Sequence, residues 1–427
     1  MRSIPWRFSS RKRGQLVPVI VLCVATAAFA TEPTASSVPA DAIAVTWPEI
    51  VQMVDRHPRL VAGRLQIAAA RAAAMAAGAV PNPTLEATLG QGRARAGDAR
   101  RSEWGLALAI PFGWMGQRGS RVDAARAEVA AVEAESAALR REVLLELRTR
   151  FWQLAYEQAR VASFEALATA TTALVRTVQA RVEKGETRPI ESTRVEIELE
   201  KVQAELDEAR TSLAARRAGL ALWLRPPAGR ALAARADLAQ LPSVMGLPEA
   251  LARTRATHPA VLTARSRTRV RAAELDVERL ARVPTVSLKA FLTSELDRQA
   301  IGAGLAVDLP VWNWNGGGIA QAQARLTGSR RQAEAVALEL EGVVIETQAA
   351  CHAQVLTASR LGNAVIPRSE ATAATMERTY QLGETSLLEV IDARRTAIEA
   401  RRLFLASLVR AQIDCSRLGV LVGEELP

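Results

Sequence analysis

The sequence predicts a mostly α-helical fold with a small β part, built as two tandem copies of one unit. Three observations carry this reading. A Gly-Glu-Thr phrase occurs twice, at 185–187 and 383–385. A stretch from about Gly119 to Lys184 contains no proline and no internal glycine. Four short segments alternate apolar with small or polar residues, the period of a strand.

The Gly-Glu-Thr echo belongs to a longer self-similarity. "WPEIVQMVDRHPRL" (47–60) resembles "LPEALARTRATHPAV" (247–261). Pro58 and Pro259 are 201 residues apart, as are Pro83 and Pro284; Pro111 and Pro310 are 199 apart, and Gly185 and Gly383 198. An offset that drifts so little defines repeat 1 over 47–225 and repeat 2 over 247–424, joined by a linker at 226–246.

Residues 1–30 read as an export signal. Arg2, Arg7, Arg11, Lys12 and Arg13 precede the apolar run Leu16–Ala28, and Ala28-Phe29-Ala30 fits small-residue cleavage. An extension, 31–46, follows. Removing the signal takes the formal charge from +10 to +5 (10 − 5). Arg and Glu are interspersed along the helices, so no basic face suggests nucleic acid. Three His residues and the absence of any CxxC spacing give no metal site. No nucleophile–base pair or catalytic carboxylate constellation stands out, which points away from an enzyme and from a cofactor.

Within each repeat a helix starts at the His-Pro pair, over 57–79 and 258–282, and proline stops it. The alternating segments then predict strands at about 84–92 and 103–111, and at about 285–293 and 301–310. Leu85, Ala87 and Leu89 share one face, as do Trp104, Leu106, Leu108 and Ile110. Trp104, Trp114, Trp312 and Trp314 suit an aromatic girdle at a membrane boundary; anchoring a soluble core is the alternative. A helical hairpin follows in each repeat, about 115–224 and about 318–421, with its tip at the Gly-Glu-Thr phrase. Gly185 and Gly383 supply the positive φ that a sharp helix reversal needs.

Four strands cannot close a barrel in lipid, where an open sheet edge is not tolerated. Copies of the chain must therefore share the barrel, and three would give twelve strands. A long helical stalk attached to such a barrel is a conduit.

In the order and doubling of these features the chain resembles the TolC-like outer-membrane efflux factors along nearly all its mature length. The matching features are the His-Pro openings, "PNPTLE" (81–86), "LPVWNWNGGGIAQAQARL" (309–326) and the two tip phrases. The 309–326 segment is most similar to the outer-membrane component of cobalt–zinc–cadmium-type efflux systems. The resemblance implies a homotrimer in the outer membrane, with a twelve-stranded barrel and a periplasmic α-helical tube. It implies docking to a periplasmic adaptor protein and an inner-membrane RND pump, and export of heavy-metal cations or other small toxic solutes. Many family members carry an acylated N-terminal cysteine; Cys23 falls inside the export signal here. A duct for type I protein secretion and a soluble periplasmic coiled-coil adaptor are the competing readings.

The resemblance also implies a periplasmic gate at Glu389 and Asp392, with Glu191 in the equivalent place of repeat 1. Arg181 and Tyr380 are candidates to hold the closed state. The bland alternative is that these carboxylates are solvated and that Asp392 pairs with Arg395. Gly185, Thr187, Gly383 and Thr385 form the tips, the natural adaptor contact. Cys351 and Cys415 each lie 32 residues from Gly383, at similar heights on antiparallel helices. Two buried free thiols are preferred, with a disulfide as the alternative.

Overall fold

The computed structural model describes residues 43–93, 100–112, 114–225, 232–295 and 298–423, with the backbone alone for Arg101, Trp114 and Met115. The export signal and nearly all of the extension lie outside these residues.

Each repeat opens on two short helices meeting at a His-Pro junction. In repeat 1 these are α1 (Trp47–Val54) and α2 (Pro58–Ala77). Pro58 needs no hydrogen-bond acceptor at the first helical position, and the His57 Nδ1 accepts from the Arg59 N–H at 3.3 Å. The equivalent in repeat 2 is α5 (Leu247–Thr257) followed by α6 (Pro259–Leu280), where the His258 Nδ1 accepts from the Ala260 N–H at 3.1 Å. The recurring histidine is thus a helix cap. Burial and a nearby arginine push both imidazoles below the usual histidine range, which favours the neutral form that can accept.

Four long strands make one antiparallel sheet. In chain order they are β2 (Thr84–Arg93), β3 (Arg100–Pro111), β5 (Thr285–Glu295) and β6 (Arg298–Asp308), and this is also their spatial order. The register places Leu85 opposite Leu108, Leu108 opposite Ala290, and Ala290 opposite Ala303. Because side chains alternate across a pleat, most of the large apolar residues of the four strands fall on one continuous face. That face is open: Leu89 is 90% exposed, Ile301 82% and Leu85 72%. The other face carries Thr88, Gly105, Gly302, Gly304 and Asp308, with Phe291 lying across Gly302. Both edges, the outer sides of β2 and β6, lack a strand partner among the described residues.

Trp104 pairs with Ser294 near one end of the sheet, while Trp312 and Trp314 follow β6 at the other. Ser294 lies nine positions along β5 from Thr285, the partner of Asp308. At 3.3 Å per residue that is about 30 Å along the strand. Trp312 and Trp314 are well exposed and Trp104 partly so. The Trp114 side chain lies outside the described residues.

From the sheet the chain enters α3 (Trp114–Glu183), 70 residues without a break, or about 105 Å at 1.5 Å per residue. It returns as α4 (Pro189–Leu224). A helix of this length is held by its neighbours rather than by itself; α3 packs on α2, α4, α6 and α9 (Leu387–Leu421). Its largest buried cluster lies at mid-length, where Val143, Leu147, Phe151 and Leu154 meet Ile50, Val54 and Leu220. There Arg148 sits 4.7 Å from the Trp47 ring and 5.2 Å from the Trp152 ring. Burial lowers its pKa to about 10, so it stays charged at neutral pH.

Two three-residue strands close this waist: β1 (Ile43–Val45) runs parallel to β4 (Leu232–Ala234), tying the extension to the linker. The side-chain oxygen of Gln158 accepts from the Ala234 N–H at 2.8 Å.

The second hairpin differs in its descending arm. α7 (Gly316–Arg360) runs into a π-helical turn, Leu361–Val365, before α8 (Ile366–Gln381). The Ile366 N–H donates to the Leu361 carbonyl, the five-residue step of a π turn. Pro367 follows at once; it has no N–H and its ring crowds the carbonyl four residues back, so the ladder breaks here. The bulge meets Phe404 of α9: a Cβ on Gly362 would stand 2.8 Å from the ring.

The preference for free thiols at Cys351 and Cys415 is overturned. The two sulfurs form a disulfide between α7 and α9, with Cα atoms 4.9 Å apart. Equal distance from the tip set their height. That they face each other follows from the packing of Cys351 into the cluster with Val344, Leu418 and Leu421.

Candidate functional site: the two hairpin tips

Both tips are built alike. The Gly185 N–H donates to the Val182 carbonyl and the Glu186 N–H to the Arg181 carbonyl, each at 2.9 Å. The Gly383 N–H donates to the Tyr380 carbonyl and the Glu384 N–H to the Thr379 carbonyl, each at 3.0 Å. This paired closure is the Schellman motif, which requires a left-handed residue at its fifth position. Gly185 has φ +73° and Gly383 φ +81°. The glycines recur because an L side chain is disfavoured there.

The residues after each glycine cap the returning helix. The Ser386 N–H donates to Glu389 Oε2 at 2.9 Å, and the Glu389 N–H to Ser386 Oγ at 3.4 Å. Glu389 therefore completes a capping box at a helix N-terminus, where a carboxylate is favoured. In repeat 1 the Thr187 hydroxyl donates to Glu191 Oε2 at 2.7 Å. The Thr385 hydroxyl lies 3.1 Å from that of Thr379.

Glu389 and Asp392 border a groove of about 580 Å³ between α8 and α9, shared with Arg368, Thr372, Met376 and Thr385. The Asp392 charge acts on Arg395, but the hydrogen bonds of the guanidinium go elsewhere. Arg395 reaches the other way, to Glu198 of α4, with Nε 2.9 Å from Oε1 and Nη2 on Oε2. Glu198 is pushed below the usual carboxylate range, first by the hydrogen bonds from Arg395.

Arg181 and Tyr380 meet. Arg181 Nη1 donates to the Tyr380 carbonyl at 2.8 Å, and the guanidinium lies 4.9 Å from the phenol ring. The ring is buried among Leu174, Val178, Val195, Leu387 and Val390, a cluster drawn from both hairpins. Burial, then the Glu191 carboxylate, push the phenol up, and Arg181 opposes them. Sequence reasoning singled out Arg181, Tyr380 and the carboxylates but not Glu198, which sits eleven residues beyond the tip phrase at 185–187. Among the described residues no group of His, Cys, Asp and Glu is arranged to hold a metal, and no helix is long and apolar enough to cross a membrane.

Residues 50–224, nearly all of repeat 1, match the outer membrane efflux protein family. Solved structures then cover almost the whole chain. CusC superposes with a TM-score of 0.74 over 90% of this chain and 94% of its own, at 17% identity. The open state of the MtrE outer membrane channel of Neisseria gonorrhoeae matches with 0.74 over 88% and 89%, at 17% identity. The outer membrane protein VceC of Vibrio cholerae matches with 0.71 over 89% and 97%, at 18% identity. This is a TolC-like outer-membrane efflux fold. Among curated sequences, the cobalt-zinc-cadmium resistance protein CzcC of Cupriavidus metallidurans is 27% identical over 192 residues. That match spans 44% of this chain and 46%, under half, of CzcC. In the TolC-like frame the second strand pair and second hairpin repeat the first, and the tips form the end farthest along the chain from the sheet.

Proposed function

We propose that the chain is the outer-membrane exit duct of a tripartite efflux pump, working as a homotrimer with a periplasmic adaptor and an inner-membrane RND pump. One observation carries this: a four-stranded sheet with a continuous, exposed apolar face and two open edges, continued by two long helical hairpins. Exposed apolar surface on this scale requires lipid or partner chains, and an open edge in lipid requires another strand. Three copies satisfy both by sharing twelve strands. The band between Trp104 and the Trp312–Trp314 pair, tilted as barrel strands are, fits the apolar height of an outer-membrane barrel. Trp114 is assigned to the same girdle by its place in sequence.

The hairpins form the periplasmic tube, with Gly185, Thr187, Gly383 and Thr385 at the adaptor-facing end. Glu389 and Asp392, three copies each, would ring the periplasmic mouth of the tube, with Glu191, Arg181 and Tyr380 holding the closed arrangement; an acidic ring favours cations. The likeness to CzcC supports heavy-metal cations as the cargo.

The deciding experiment joins assembly to conductance. The purified mature chain is expected to sediment as a trimer in detergent and to open cation-selective channels in planar bilayers. Glu389→Ala with Asp392→Ala should reduce that selectivity. A monomer without channel activity would overturn the reading. Sensitivity of a deletion strain to cobalt, zinc and cadmium, set against dyes and antibiotics, tests the cargo.

A further inference from the structure

We propose that Arg93 and Arg100 form a binding site for the phosphate groups of an anionic outer-leaflet glycolipid, on the lipid-facing side of the sheet. The inference deepens the exit-duct reading and rests on it for the orientation of the sheet in the membrane.

The strand register fixes which side chains share the apolar face. Residues directly opposite one another point the same way. The pairs Leu89–Trp104, Gln91–Ser102 and Arg93–Arg100 therefore continue the face that carries Leu85 and Leu108. Followed across β5 and β6, the same end of that face holds Ser294 and Gln299. Among the described residues of the four strands, Arg93 and Arg100 are the only charged ones on this face. The carboxylates Glu86, Glu103, Glu295 and Asp308 all lie on the other. The face is thus apolar over most of its length and ends in two exposed arginines with no acid beside them on the strands.

Their height suits a headgroup contact. Arg100 lies four positions beyond Trp104 on β3, about 13 Å along the strand. This is the end away from Pro111, where the chain leaves for α3. With the helices in the periplasm, it is the end that faces the cell exterior. An aromatic girdle marks the limit of the apolar band, so side chains just past it meet the polar groups of the outer leaflet.

The chemistry selects phosphate. Like charges directly opposite in a sheet repel, and their Cβ atoms stand only about 5 Å apart. A phosphate between them removes the repulsion, since each guanidinium presents a fork of N–H donors that matches its oxygens. The surrounding sequence has the same sign: residues 93–101 hold four arginines and one aspartate, whereas the other hairpin, 295–298, reads Glu-Leu-Asp-Arg. Only repeat 1 is built this way, which gives one site per copy.

Titrating the purified mature chain in neutral detergent with diphosphoryl lipid A tests this. Native mass spectrometry should show one lipid per protomer, and the lipid should raise the melting temperature of wild type. Arg93→Gln with Arg100→Gln should weaken binding about tenfold or more and lose that thermal shift, while Arg93→Lys with Arg100→Lys should keep part of both. Arg298→Gln, which removes a positive charge from the opposite face, should bind as wild type does. Lipid A stripped of both phosphates should bind wild type as weakly as intact lipid binds the Gln variant. Inorganic phosphate should fail to displace the lipid at matched concentration, which separates a lipid site from a general phosphate site. Equal affinity of wild type for lipid with and without phosphates, or of wild type and the Gln variant for intact lipid, would overturn the site. An equal loss in Arg298→Gln would overturn it in favour of bulk charge. Phosphate-dependent lipid binding by a monomeric, non-conducting chain would count against the exit duct and leave the site standing; a conducting trimer without phosphate preference would do the reverse.

Discussion

The two hairpins start from the same tip and differ in the middle. In repeat 1, α3 is continuous for 70 residues and is stitched to α4 by Arg160–Glu208, Arg210–Glu165 and Gln179–Glu196. In repeat 2, the equivalent arm is interrupted at 361–365 and clamped by a disulfide ten residues earlier. Duplication preserved the ends, where backbone geometry leaves little choice, and let the shafts diverge, where many side-chain pairings serve. The long arm of the first hairpin is one unbroken helix, and that of the second is interrupted.

The sharpest way to break this contrast is to remove the clamp. Cys351→Ala with Cys415→Ala frees a 64-residue loop, and chain entropy puts the loss near about 4 kcal/mol. Thermal unfolding should drop accordingly, and a reducing agent should reproduce the drop in wild type but not in the variant. Next in size, Gly362→Ala should cost about 1–3 kcal/mol by driving a methyl toward Phe404. Pairing it with Phe404→Leu should recover much of that loss in the same melts. The tips sharpen the comparison from the other side. Gly185→Ala and Gly383→Ala should cost about 1–2 kcal/mol each, because both impose a left-handed residue. Unequal losses would mean that the matching hydrogen bonds conceal different strain.

The smallest effect is a pH dependence at the helix caps. His57 and His258 have depressed folded pKa values, so the unfolded chain takes up protons first as pH falls. Their contribution is complete above the ordinary value of about 6.5 and is lost as pH drops through the folded values. Denaturant midpoints measured from pH 7.5 to 5 should therefore decline, and His258→Asn or His57→Asn, each of which keeps an acceptor without the titration, should flatten the curve.

Much of this architecture was legible because it is written in periods and punctuation. The alternation at 85–89, 104–110, 286–292 and 301–307 named the residues that share the apolar face, since a pleat leaves no other arrangement. Gly185 and Gly383 announced the reversals for a backbone reason. What stayed hidden depends on partners distant in sequence. Ile43–Val45 and Leu232–Ala234 are three residues each and become strands only by meeting one another. Arg395 has Asp392 one turn away in sequence, yet Glu198, 197 positions distant, offers the better two-point geometry. The Cys351–Cys415 bridge needed facing directions that spacing does not encode. Pro367 was visible, but whether proline ends a helix or is absorbed by a π turn depends on what packs beside it, here Phe404 against Gly362.

The bare rims of β2 and β6 carry a genetic consequence. In the proposed trimer each rim is completed by a sister, so one copy damaged at a single rim leaves the whole barrel with an open seam. A chain with a disrupted β6, expressed beside the normal one, should act dominantly: the share of wholly sound assemblies falls as the cube of the normal chain's share of the pool. Partial loss of supply would then be far milder than partial corruption of it.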